Sequence, residues 1–161
     1  MTPAKHFLAA IGLAGAVALA PLPLLAFGSD TSSSTTQSSG PSKNYVSAEK
    51  KVKAGDYADA IPLLEKVVKS EPKNADALNY LGYSHRKLGD QAKALGYYQQ
   101  ALAINAKHRG ANEYLGELYL EMKQLDKAEE RLKVLSEACS GCEESVELKE
   151  KIDAFKAGKS S

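Results

Sequence analysis

The chain has 161 residues, 43% hydrophobic and 25% charged, the balance of a soluble globular protein with room for one domain and short appendages. Its formal net charge is +1 at pH 7, and setting aside the first 28 residues removes only Lys5, leaving 20 basic against 20 acidic residues. No basic excess favours nucleic acid, and no acidic tail is present.

Residues 1–28 read as a targeting segment. Lys5 and His6 precede a charge-free apolar run from Phe7 to Phe27. Ala20 is a poor cleavage point because Pro21 follows it, whereas Ala26-Phe27-Gly28 supplies a small-x-small pattern ahead of Ser29. The alternative is an uncleaved N-terminal anchor, since about 20 apolar residues span a bilayer. Pro21 and Pro23 would break such a helix near its outer end. Export is expected in either case, to the periplasm or an exported surface, with a membrane tether only if the segment is retained. No cysteine lies near the cleavage region to carry a lipid. Residues 29–42, SDTSSSTTQSSGPS, bury too little apolar surface to offset the entropy of ordering and are expected to form a disordered Ser/Thr-rich linker.

From residue 43 onward the pattern is helical and repeats. Leu78, Leu81, Gly82 and His85 fall on one helix face, and Ala94, Tyr98 and Ala101 on a second, with a turn at Gly89-Asp90 between them. A shift of 34 residues in either direction superposes the block on itself. Gly82 meets Ala48 and Gly116, Ala94 meets Ala60 and Ala128, Tyr98 meets Leu64 and Leu132, and Ala101 meets Val67 and Leu135. The small residues suit the close crossing of paired antiparallel helices. Leu64, Leu95, Tyr98, Leu102, Leu132 and Leu135 are expected to fill the space between pairs.

Leu81-Gly82, Ala94, Tyr98 and Ala101, with Pro72 closing the first copy, resemble the tetratricopeptide repeat, whose period is about 34 residues. The resemblance covers Pro41 to Cys142, in copies at 41–74, 75–108 and 109–142. In the first copy Ser47 and Lys51 depart from the usual apolar residue and aromatic. Ala106 and Ser140 replace the closing proline in the others. The fold it implies is all-α: a right-handed superhelix of antiparallel helix pairs, three repeats (43–142) plus a capping helix (143–158). Such arrays hold peptides or partner proteins in a concave groove lined by the first helix of each pair. In this register the groove positions are Tyr45, Glu49, Asn79, Tyr83, Arg86, Glu113, Glu117 and Leu120, with Tyr83 equally readable as a packing residue. Repeat proteins that grip a chaperone's C-terminal carboxylate place lysine and asparagine where Tyr45 and Glu49 stand, so that clamp is not expected.

Local signals fill in the rest. Asp56 and Asp90 are expected N-caps of second helices, with Gln124 or Asp126 in the third copy. Pro62 falls inside a helix. Leu148, Ile152 and Phe155 give the last segment an apolar face, while Glu150 and Asp153 stand where a fourth repeat would need its small residue and aromatic. A capping helix that covers the end of the stack follows. Glu113, Glu117 and Glu121 read as a solvated acidic face.

Cys139 and Cys142 form a C-x-x-C. A local disulfide at the joint before the capping helix is one reading, and a redox-active or metal-holding thiol pair is the other. No metal ligand set is assigned, because two thiolates need further donors and His108, one repeat away, is too distant. Neither a nucleophile–base pair nor a phosphate loop can be argued, so no enzyme and no cofactor are expected. Overall the reading is an interaction scaffold for a protein or peptide, with a thiol-active exported protein as the alternative.

Overall fold

The structure, a computed structural model, describes residues 40–158. The targeting segment and most of the linker lie outside the described residues. Within them the chain forms seven helices and no strand: α1 (Lys43–Ala54), α2 (Tyr57–Ser70), α3 (Ala75–Lys87), α4 (Gln91–Ile104), α5 (Arg109–Glu121), α6 (Leu125–Ala138) and α7 (Glu143–Lys156). Helices α1 and α2, α3 and α4, and α5 and α6 pair, and α7 packs on both α5 and α6. This is an all-α solenoid of stacked helix pairs.

Four of the seven helices begin at a side chain that accepts an orphan backbone N–H. Ser42 accepts from Tyr45 N at 3.3 Å, Asn74 from Ala77 N at 2.9 Å and Asp90 from Lys93 N at 3.1 Å. His108 does the same for α5, its Nδ1 accepting from Ala111 N at 3.1 Å while Nε2 meets Asp76 at 2.9 Å. That ties the start of α5 to the start of α3. Asp56 and Gln124 occupy cap positions without a side-chain bond, and Asp126 lies inside α6 rather than capping it. Helix α2 runs through Pro62.

The turns within pairs repeat one backbone conformation at the 34-residue spacing. Gly55 has φ +84° and Gly89 φ +83°, and the third position is Lys123 at φ +58°. A side chain in the left-handed region is disfavoured by about 1–2 kcal/mol. Lys123→Gly is therefore expected to stabilise the protein by up to about 1 kcal/mol, offset in part by the greater freedom of glycine in the unfolded chain. Urea denaturation of the two proteins measures the difference.

Packing follows the small-residue register, with one departure. Ala48, Ala60, Ala94, Ala101 and Ala128 are fully buried, as are Leu64, Tyr98 and Leu135. Leu95, Leu102 and Leu132 are half-buried against the same core. Gly82 faces the paired helix, where a Cβ would lie 2.6 Å from the Tyr98 ring. Gly116 instead faces α7, and its Cβ would lie 2.5 Å from Leu148 Cδ2. Leu148 and Ile152 thereby close the end of the stack together with Ala128 and Leu135.

Candidate functional site on the inner face

The first helices of the pairs touch in series, α1 on α3, α3 on α5, and α5 on α7. Their shared face carries two adjoining clefts of about 390 and 360 Å³, both bordered by Glu113, Tyr114 and Glu144. In the first, Tyr45, Tyr80 and Tyr114 surround Asn79 and Gly110. The second is bounded by Tyr83 and Tyr114, and by Glu147 and Lys151 from α7.

Aromatic rings build the walls. Tyr45 and Tyr80 lie 6.0 Å apart between centroids, Tyr83 and Tyr114 4.7 Å, and Tyr57 meets Tyr83 edge-on at 5.8 Å. The Arg86 guanidinium sits 5.5 Å from the Tyr83 ring and 5.8 Å from the Tyr114 ring. Tyrosine offers a rigid amphipathic surface that loses little entropy on contact, which suits a recognition wall.

Charges on this face are largely committed to one another. Arg86, only 9% exposed, contacts Glu117 at 2.5 Å and Glu121 at 2.8 Å. Burial works against its charge, but the carboxylates, led by Glu117, outweigh it and hold the guanidinium pKa above its ordinary value. Lys151 of α7 reaches Glu117, with Glu147 at 3.4 Å and Glu113 at 3.8 Å. One chain of ions thus joins α3, α5 and α7. The acidic face expected to be solvated is instead enclosed: Glu113 is 4% exposed and Glu117 is nearly buried, leaving only Glu121 outside.

Glu113 bears the cost of that enclosure. Burial first, and then the neighbouring Glu117 charge, push its carboxyl up to about 8 from an ordinary 4.5. Between those values the folded protein holds a proton that the unfolded chain has released, so stability falls as pH rises through the window. From pH 5 to pH 9 this group is expected to remove about 1–3 kcal/mol. Glu113→Gln should flatten that part of the profile, as read by chemical denaturation of both proteins across the range.

Asn79 is the opposite case, a buried polar group left without a partner. It is 5% exposed, its Oδ1 accepts no hydrogen bond, and its amide borders the first cleft. Gly110 stands opposite, where a Cβ would lie 3.1 Å from Asn79 Nδ2. Buried amides normally find partners, so the unpaired Oδ1 of Asn79 is unusual for a residue on a cleft wall.

The expected groove residues therefore divide. Tyr45 and Asn79 border the first cleft, and Tyr83, Arg86, Glu113 and Glu117 the second. Glu49 borders neither. It pairs with Lys53 at 2.9 Å and accepts from the Tyr80 hydroxyl at 3.3 Å. Leu120 is not a groove residue: it is 8% exposed and packs into the core beneath α7, because α7 covers that side of α5. Tyr80 and Tyr114 are not among the expected groove residues, although they recur at the same 34-residue spacing, in line with Val46 and Leu148. Glu147 and Lys151 belong to α7, which the repeat register does not reach.

Two other features have local roles. His85 is buried and stacks on Tyr97 at 5.4 Å, and burial first, then Lys93, lowers its pKa. The Cys139 and Cys142 sulfurs lie at bonding distance, 2.04 Å, with Cα atoms 5.5 Å apart.

Comparison with known proteins agrees with this architecture. Tetratricopeptide repeat models match residues 45–109 and 85–152. Cellulose synthase operon protein C of Escherichia coli K12 is 37% identical over 54 residues, which is 34% of this chain but only 5% of that protein. The translocator chaperone SycD of Yersinia enterocolitica superposes with a TM-score of 0.64 at 20% identity, over 72% of this chain and 83% of that one. The first tetratricopeptide domain of Spaghetti (RPAP3), bound to an HSP90 peptide, gives 0.64 at 21% identity over 71% and 90%. With the period, the small-residue register and the helix stack in agreement, the chain belongs to the tetratricopeptide repeat family.

Proposed function

We propose that this protein is a non-enzymatic interaction scaffold that holds an extended peptide segment of a partner on its inner face, in the cell envelope. The observation that carries the reading is Asn79: an almost fully buried residue whose Oδ1 has no internal partner, beside a glycine and among tyrosines in an open cleft. A main-chain N–H of an extended segment would satisfy this Oδ1, while Tyr45, Tyr80 and Tyr114 pack the segment's side chains. The peptide carried by the RPAP3 domain supports the same use of the fold. The charge-free run from Phe7 to Phe27 supports export. In an oxidising compartment the Cys139–Cys142 pair would persist as a disulfide.

Peptides selected by display on the wild-type protein test the assignment. Tyr45→Ala with Asn79→Ala is expected to lower their affinity about tenfold or more, equivalent to about 1.4 kcal/mol. The Asn79 Oδ1 has no internal hydrogen bond to lose, so helicity should be unchanged by circular dichroism. Equal affinity in this variant, or an equal loss in Glu130→Ala on exposed α6, would remove the inner face from consideration.

A further inference from the structure

The joint between α6 and α7 gathers donor atoms beside the inner face, where Glu144 also borders both clefts. Cys139 ends α6 as its C-cap, and Cys142 opens α7 as its N-cap. Their sulfurs and a carboxylate oxygen of Glu144 all lie within 4.8 Å of one another, on three half-buried residues. The same joint one repeat pair earlier shows that the turn itself needs no such chemistry. At 34-residue spacing, the places of Cys139 and Cys142 are taken by Asn105 and His108, and before them by Glu71 and Asn74. Glu71 and Asn74 close that turn with a backbone hydrogen bond of 3.0 Å and a side-chain one of 2.7 Å, donated by Asn74 Nδ2.

Two thiols separated by two residues, around Gly141 at φ +77°, have the spacing of a metal chelate. Zinc–sulfur bonds of about 2.3 Å and zinc–oxygen bonds of about 2.0–2.2 Å place tetrahedral donors roughly 3.5–3.8 Å apart, within reach once the sulfurs separate. The start of α7 favours a thiolate at Cys142. Among the described residues Glu144 pairs with Arg109 at 3.4 Å, whose exposed guanidinium is easily given up.

We propose that the dithiol form of this joint binds zinc(II) through Cys139, Cys142 and Glu144, with water as the fourth ligand. The site forms in two balanced steps. A dithiol donor passes two electrons and two protons to the disulfide, yielding two thiols and becoming a disulfide itself. Zinc then displaces the two thiol protons and takes both thiolates, so metal replaces the covalent clasp.

The test uses the full chain, reduced with a phosphine under argon, freed of metal and titrated with cobalt(II) as a spectroscopic stand-in. One equivalent is expected to produce thiolate charge-transfer and tetrahedral ligand-field bands, which zinc then abolishes. Cys139→Ser with Cys142→Ser should lose both bands, and Glu144→Gln should weaken binding by about tenfold or more. Leu148 and Ile152 still anchor α7 in these variants; should the double variant lose helicity, alkylated wild-type protein replaces it as the control. Cobalt bound no more tightly by the reduced wild type than by the thiol-blocked control overturns the site. Unchanged affinity in Glu144→Gln overturns the donor set.

Discussion

Arg86→Ala is expected to destabilise the protein by about 3–5 kcal/mol, the usual result of removing one partner from a buried ion pair. Its guanidinium is enclosed, and Glu117, the nearest carboxylate, is almost equally so. Truncation would leave Glu117 with Lys151, a half-exposed lysine whose attraction is screened by solvent. A loss of that size is expected to lower the midpoint of thermal unfolding by well over 10 °C, since about 1 kcal/mol corresponds to roughly 4–8 °C in a domain near this size. Adding Glu117→Gln should recover much of the loss by removing the stranded charge. If Arg86→Ala costs less than about 1 kcal/mol, the ion chain does not hold α3 to α5. The same reasoning makes Arg86 a poor probe of partner binding, because its loss would disturb the surface that is being tested.

A second large effect separates two glycines that look alike in a helical sequence. Gly82→Ala is expected to destabilise by about 1–3 kcal/mol. The new methyl would lie 2.6 Å from the ring of Tyr98, a fully buried side chain that has no free rotation with which to yield. Gly96→Ala, in the middle of α4, is expected to stabilise by up to about 1 kcal/mol, because its Cβ would meet nothing within 4 Å and alanine is the better helix former. Parallel urea titrations decide both. The same sign for the two substitutions would mean that helix propensity, not the contact with Tyr98, governs position 82.

The sequence–structure correspondence is closest where a side chain's role repeats. Ala48, Gly82 and Gly116 stand one period apart and all three are buried, since each helix pair solves the same packing problem. The pairing partner of Gly116 was not legible, because Leu148 comes from α7, which lacks the small residue and aromatic of a repeat. The same helix explains the other departures. Glutamates at every fourth position of a helix read as a solvated stripe, yet Glu113 and Glu117 are enclosed once α7 brings Lys151 and Glu147 against them. Leu120 moves from an expected groove position into the core for the same reason. Periodicity reports what neighbouring repeats do to each other, and it is silent about an element that does not share the period. Arg86 sits on the repeat, but its partner at Glu117 is three residues short of one repeat away, a coupling that spacing alone does not single out.

The most direct test of the inner face as a recognition surface is amide chemical-shift mapping of the labelled protein titrated with a display-selected peptide. Perturbations are expected to cluster at Asn79, Tyr80, Gly110 and Tyr114 and to spread along α1, α3 and α5. Perturbations confined to α2, α4 and α6, with the Asn79 side-chain amide unmoved at saturation, would contradict it.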